Sequence, residues 1–130
     1  TVAPYRPLAA NVATNNVAAM AADASSLHAF YKAMLALRNT RSSIARGSVE
    51  ATLASGAVLS FQRVLGGERT VVLVNYGMSA TTAVVNALPA NANLTAAYPA
   101  GGALVATADA SGSATVNVGA QSVLVLDVTP

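Results

Sequence analysis

Two periods of apolar residues divide this chain. In the stretch SLHAFYKAMLALR, Leu27, Phe30, Tyr31, Met34, Leu35 and Arg38 recur at steps of three and four, which is one face of a 3.6-residue helix. Asp23 is placed as its N-cap and Ser26 at the third helical position, and the helix runs to about Asn39. His28 and Lys32 fall together on the opposite, wetter side, and only the stem of Arg38 can lie along the apolar stripe. A stripe of this kind requires a partner surface. Residues 1–22, with Pro4, Pro7 and scattered Asn, read as an irregular loop whose Val, Leu and Met need burial.

From Gly47 the period becomes two. SVEATLA, AVLSFQRVL and ERTVVLVNY are successive β-runs, separated by Ser55-Gly56 and Gly66-Gly67. The second junction predicts a two-residue type I′ hairpin turn, with positive φ at both glycines. Val58, Ser60 and Gln62 share one face of their run and Leu59, Phe61 and Arg63 the other. VVLVN is nearly all apolar, the pattern of a strand covered on both faces. Further strands are predicted over 81–86, 94–98, 104–107, 115–118 and 122–128, with a tight turn over 109–112. The expected architecture is mainly β: an antiparallel Greek-key sandwich over 47–130, preceded by one helix within 1–46.

Composition narrows this picture. The 130 residues suffice for one ordinary domain, or a small domain and a piece of another. The chain is 54% hydrophobic, but 30 Ala inflate that figure, and there is no Trp, so the core is built from Val, Leu, Ile and Ala. Absence of Cys removes disulfides, thiolate metal sites and Cys nucleophiles. No stretch approaches the ~20 apolar residues of a membrane span, and Thr1 does not open a signal peptide, so no membrane partner is expected. A start without Met, in front of a helix without an obvious partner, suggests that an upstream part is missing.

The net charge of +2 is uneven. Residues 1–46 hold Arg6, Lys32, Arg38, Arg41 and Arg46 against Asp23, while the remainder is acidic through Glu50, Glu68, Asp109 and Asp127. Arg38 and Arg41 sit at or just past a helix C-terminus, where the macrodipole favours cations. No basic cluster carries interleaved aromatics, so nucleic acid is not an expected partner.

Spacing and composition supply no catalytic chemistry, but the order of elements resembles a known family. SLHAFYKAMLALRNTRSSIARGSVE is similar to the last barrel helix of the α-amylase family, family 13 of the glycoside hydrolases. There a Ser-Leu-x-x-Phe-Tyr-Lys helix ending in Leu-Arg precedes a short Gly-terminated segment and a strand. VLSFQRVLGGERTVVLVNYG resembles the first strands of the family's all-β C-terminal domain, and SVLVLDV its closing strand. The resemblance is sharp over 26–38, good over 58–77 and weak over 80–119. It implies that 1–46 are the final loop and last helix of a catalytic (β/α)8 barrel, and 47–130 the C-terminal domain. The missing partner is then the rest of that barrel, and the parent enzyme acts on α-glucosidic links of starch-like glucans.

Several further expectations follow from the resemblance. Loops at the C-terminal ends of barrel strands build the active-site face, so Tyr5 and Arg6 are candidate substrate-binding residues; the other reading is that Pro4-Tyr5-Arg6-Pro7 fixes the course of the loop. Retaining glycosidases need two carboxyl groups ~5–5.5 Å apart with divergent pKa values, and the family draws them from barrel strands absent here. None of the five acids lies in such a motif, so no catalytic residue is expected. His28, the single His, lies on the polar helix side, and no metal-ligand spacing occurs; any calcium would belong to the missing catalytic part, with no cofactor in this segment. A secreted or periplasmic location is the family expectation. Two alternatives remain: a carbohydrate-binding module, for which Tyr76 and Tyr98 are the only Tyr residues after the helix and no Trp is available, and a purely structural β-sandwich.

Overall fold

The computed structural model describes residues 7–99 and 101–130. The chain divides into two units, Thr1–Ala36 and Leu37–Pro130.

In the first unit, the stretch read as irregular contains a short helix, α1 (Val17–Ala22). Asn16 starts it by accepting from the Ala19 amide at 2.9 Å. The amphipathic helix α2 (Leu27–Thr40) begins later than the sequence suggested. Ser26 caps it, its Oγ accepting from the Ala29 amide at 3.2 Å. Asp23 terminates α1 instead and closes a local turn, its Oδ1 accepting from the amide and hydroxyl of Ser25 at 2.8 and 2.7 Å. An aspartate two residues before a serine satisfies its own turn more readily than a helix starting further on. Along the stripe, Phe30 and Met34 are half-buried, with Phe30 and Tyr31 in an edge-to-face contact at 6.0 Å. Leu27, Tyr31 and Leu35, one turn apart from each other, remain 62%, 59% and 57% exposed.

The second unit opens with the end of α2, continues through the one-turn helix α3 (Ser42–Arg46), and is otherwise antiparallel β. The strands are β1 (Ser48–Ser55), β2 (Val58–Leu65), β3 (Glu68–Asn75), β4 (Thr81–Val85), β5 (Asn93–Tyr98), β6 (Leu104–Thr107), β7 (Ala114–Val118) and β8 (Ser122–Thr129). Six form one sheet in the order β1-β2-β3-β8-β5-β6, and β4 pairs with β7 in a separate ribbon. The chain leaves the large sheet after β3, returns for β5 and β6, and closes through β7 and β8. The first two hairpins turn on Gly56 and Gly66, at φ of 56° and 58°. Positive φ at the first central residue only is the II′ pattern rather than the expected I′.

The core lies between the large sheet and the ribbon. Val58, Val71, Leu73, Leu94 and Leu126 meet Ala83, Val85, Val116 and Val118 in one apolar cluster. The register puts Val58, Ser60 and Gln62 of β2 on this inner face, and Leu59, Phe61 and Arg63 on the outer one. The more apolar side of β2 therefore points away from the core. Strand β3 is apolar on both sides, with Val71 and Leu73 fully buried inside and Val72 and Val74 half-buried outside. At the sheet edge all eight residues of β1 are exposed, and a bulge between Glu50 and Leu53 breaks its ladder. A bulged edge discourages pairing with another chain. No helix among the described residues is long and apolar enough to cross a membrane.

The turn before β7 has one strict requirement. Gly112 has a φ of 77°, and a Cβ there would sit 2.2 Å from the Leu88 carbonyl oxygen, whose residue also donates its amide to Gly112 O at 3.0 Å. Gly112→Ala combines left-handed strain with a backbone collision. It is expected to cost at least ~2 kcal/mol in chemical denaturation; a loss below ~0.5 kcal/mol would contradict this geometry.

Candidate functional site

The polar side chains of the second unit converge where α3 meets the large sheet. Arg41, extended between α2 and α3, forms a two-pronged ion pair with Asp127 of β8: Nε donates to Oδ1 and Nη2 to Oδ2, each at 2.6 Å. Two residues on, the Ser43 amide and hydroxyl both donate to Glu68 Oε1, at 2.9 and 2.6 Å. The same hydroxyl meets Thr70 Oγ1 at 2.8 Å, in a fully buried position. Arg63 adds Nε and Nη2 to the carbonyls of Ser43 and Ile44. A five-residue helix is too short to hold itself together; this one is held by side chains from β2, β3 and β8.

Thr40, Arg41, Glu68, Arg69 and Asp127 line a shallow depression here, and Glu68 and Asp127 lie within electrostatic reach of each other. The two carboxylates do not form an acid–base pair. Both Asp127 oxygens accept from Arg41, and the hydrogen bonds from the hydroxyl and amide of Ser43 push the Glu68 carboxyl below its ordinary range. A general acid needs a shift in the opposite direction.

The remaining acids have local partners. Asp109 accepts from the hydroxyl and amide of Ser111 and the amide of Ser113, which lower its pKa. Asp23 is lowered in the same way by Ser25. Glu50 takes a hydrogen bond from Ser48 and lies 4.0 Å from Arg69. His28 is exposed. No group of three His, Cys, Asp or Glu suited to a metal ion occurs among the described residues. The candidate substrate contacts Tyr5 and Arg6 lie outside the described residues.

Inside the sandwich a second network spans the layers. Gln62 donates from Nε2 to the Asn86 carbonyl at 2.6 Å and accepts at Oε1 from Arg69. Among the described residues no buried side-chain nitrogen or oxygen lacks a hydrogen-bond partner. The sequence did not point to Ser43, Gln62 or the Arg41–Asp127 pair. Arg41 was assigned to a helix dipole, whereas its partner stands 86 positions away; no local spacing encodes such a pair.

No family model and no curated protein sequence matches the chain. Solved structures do. Trehalulose synthase MutB from Pseudomonas mesoacidophila MX-45 superposes at a TM-score of 0.71 over 97% of this chain, with 20% identity. Isomaltulose synthase from Klebsiella sp. LX3 gives the same values. An α-amylase from Geobacillus thermoleovorans, solved with acarbose, reaches 0.69 over 79% of the chain at 19% identity. The chain has the fold of a segment of α-amylase-family enzymes. It spans only 22% of the two synthases and 23% of the amylase. The synthase match takes in helical residues as well as the strands.

The α3 clamp sets an acid limit on stability. Because the Glu68 carboxyl is depressed in the folded state, its contribution is complete above the ordinary value of 4.5 and disappears as pH falls through the lowered one. Glu68→Gln is expected to flatten the loss of stability below pH ~4.5 while leaving part of it, carried by Asp23 and Asp109. Arg41→Ala is expected to cost about 1 kcal/mol at neutral pH, since the pair is partly solvated. Thermal melts from pH 2 to 7 read both; an unchanged acid limb in Glu68→Gln would refute the assignment.

Proposed function

We propose that the chain is the non-catalytic C-terminal portion of an α-amylase-like glycosidase that acts on α-glucosidic links of starch-like glucans. In this reading residues 1–46 are the last loop and helix of the catalytic barrel, and the β unit stabilises that barrel by covering its apolar flank. The observation that carries the proposal is the fold match, which spans 97% of this chain and only 22% of a much longer enzyme.

Two features of the chain support it. Leu27, Tyr31 and Leu35 form an exposed apolar row on α2, as a helix shows when the surface it packs on is elsewhere. The outer face of the large sheet carries Leu59, Phe61, Val72, Val74 and Val123, none of them fully buried. Of the acids, Asp23 and Asp109 serve local turns, Glu68 and Asp127 serve the α3 clamp, and Glu50 meets Ser48 and Arg69 on the edge strand.

The chain by itself is expected to release no reducing sugar from soluble starch, to bind a hydrophobic dye and to self-associate in native mass measurements. Replacing Leu27, Tyr31 and Leu35 together by Gln should reduce dye binding and association severalfold, with the β-sheet circular dichroism unchanged. Starch hydrolysis by the purified chain would overturn the non-catalytic reading. A monodisperse, dye-silent wild-type monomer would overturn the need for a partner.

A further inference from the structure

The second layer of the sandwich is short. Six strands form the large sheet, the ribbon facing it has two, and among the described residues β4 pairs with β7 alone. Backbone N–H and C=O groups on the far side of such a border strand point away from its partner. Strand β1, the neighbouring border of the large sheet, is protected by its bulge and by Glu50. Strand β4 has neither protection. Thr81-Thr82-Ala83-Val84-Val85 contains no charge and no proline, and its register with β7 runs unbroken.

A groove runs between these two borders. Residues 51–53 of β1 face residues 84–86, at the end of β4, across a cavity of about 190 Å³. Residues 55–57 face residues 79–82 across a second cavity of about 430 Å³. One wall ascends in number as the other descends, so the two cavities lie in line along β4. Buried Ser60, Gln62 and Val71, on the inner face of the large sheet, floor the first cavity, and Leu53 and Val84 stand exposed at its rim. These features select an occupant. A row of backbone donors and acceptors is matched by the backbone of an extended polypeptide, as in other strand additions. At ~3.4 Å per residue, β4 seats about five residues of such a chain. No residue lining either cavity is charged, so the matching segment is uncharged. Its alternate side chains point inward, and the smaller cavity takes one aliphatic side chain.

We propose that the free edge of β4 docks an extended, uncharged polypeptide segment, which becomes the third strand of the ribbon and places one aliphatic side chain beside Leu53 and Val84. The segment comes from the parent enzyme: the chain spans only 22% of the synthases whose fold it shares, so a parent of that length holds ample polypeptide outside it. That choice of source rests on the function proposed above, whereas the groove stands on its own geometry. The groove lies on the inner side of the large sheet, apart from the outer face assigned to a covering layer.

The test is hydrogen exchange of the backbone amides, read by NMR, with the blocked peptide Ac-Thr-Val-Thr-Leu-Thr-Val-Thr-NH2 as probe. Saturating peptide should slow exchange at least tenfold at the β4 amides that face away from β7, with β6 unaffected. Leu53→Lys and Val84→Lys, both at exposed positions, should weaken binding about tenfold, with thermal melts reporting that the fold is intact. A peptide carrying Lys in place of its Leu should lose affinity by a similar factor against the unaltered chain. In the full-length enzyme the same β4 amides should be protected with no peptide added. Absence of protection by the peptide, or equal binding of the Lys-bearing peptide, would overturn the groove. Protection of β4 that rises with the concentration of the chain alone would assign the edge to a second copy and overturn the parent segment as occupant. Open β4 amides in the full-length enzyme would overturn that source too. None of these results bears on the covering role of the apolar surfaces, which the dye and native-mass measurements test.

Discussion

A strand that is apolar on both faces can be stable only between two layers, and β3 imposes that condition on this fold. Val71 and Leu73 point into the core and Val72 and Val74 away from it. Because β3 pairs with β2 and β8 on either side, its two-faced character passes to the centre of the sheet. The inner side is closed by the β4–β7 ribbon, whose Ala83, Val85, Val116 and Val118 complete the cluster. Full burial of a Val or Leu side chain contributes ~1.5–3 kcal/mol relative to full exposure, so the partly buried residues of the outer face leave a fraction of that gain each for whatever covers them.

The polar groups follow from the same layering. With the β2 side bearing Ser60 and Gln62 turned inward, the sandwich must satisfy those groups internally, and Gln62 does so through Asn86 and Arg69. On the outer side, α3 is attached through polar contacts. Arg41 with Asp127, Ser43 with Glu68 and Thr70, and Arg63 with the Ser43 and Ile44 carbonyls place the helix in one register on three strands. These contacts give position more than stability, because partly solvated ion pairs contribute little free energy. They also account for the acids in this region without assigning them any chemistry.

Much of the architecture was legible in the order of residues. Strand β2 was recognisable from VLSFQRVL, β3 from the apolar VVLVN, and α2 from the Leu27-to-Leu35 spacing, because each period is a property of local backbone geometry. The likeness to α-amylase-family structures was visible in the same segments, where helix and hairpin motifs are contiguous. The misreadings were local competitions. Asp23 formed its own turn with Ser25, so Ser26 became the cap, and Gly66 took the positive φ without Gly67. Helices α1 and α3 are too short for a period to register, and α3 depends on partners 19 to 86 residues distant.

By itself the sequence determined the strands and the one long helix, and that β3 needed cover on two sides, because side-chain period and turn chemistry act over a few neighbours. It did not determine which side of β2 faces the core: Leu59 and Phe61 are the more hydrophobic choice, yet Val58, Ser60 and Gln62 are inside. That decision belongs to the tertiary structure. The chain crosses to the ribbon after β3 and fixes the inner layer, Asn86 then stands where Gln62 can reach it, and only after this closure does the apolar side of β2 become a surface that another layer must fill.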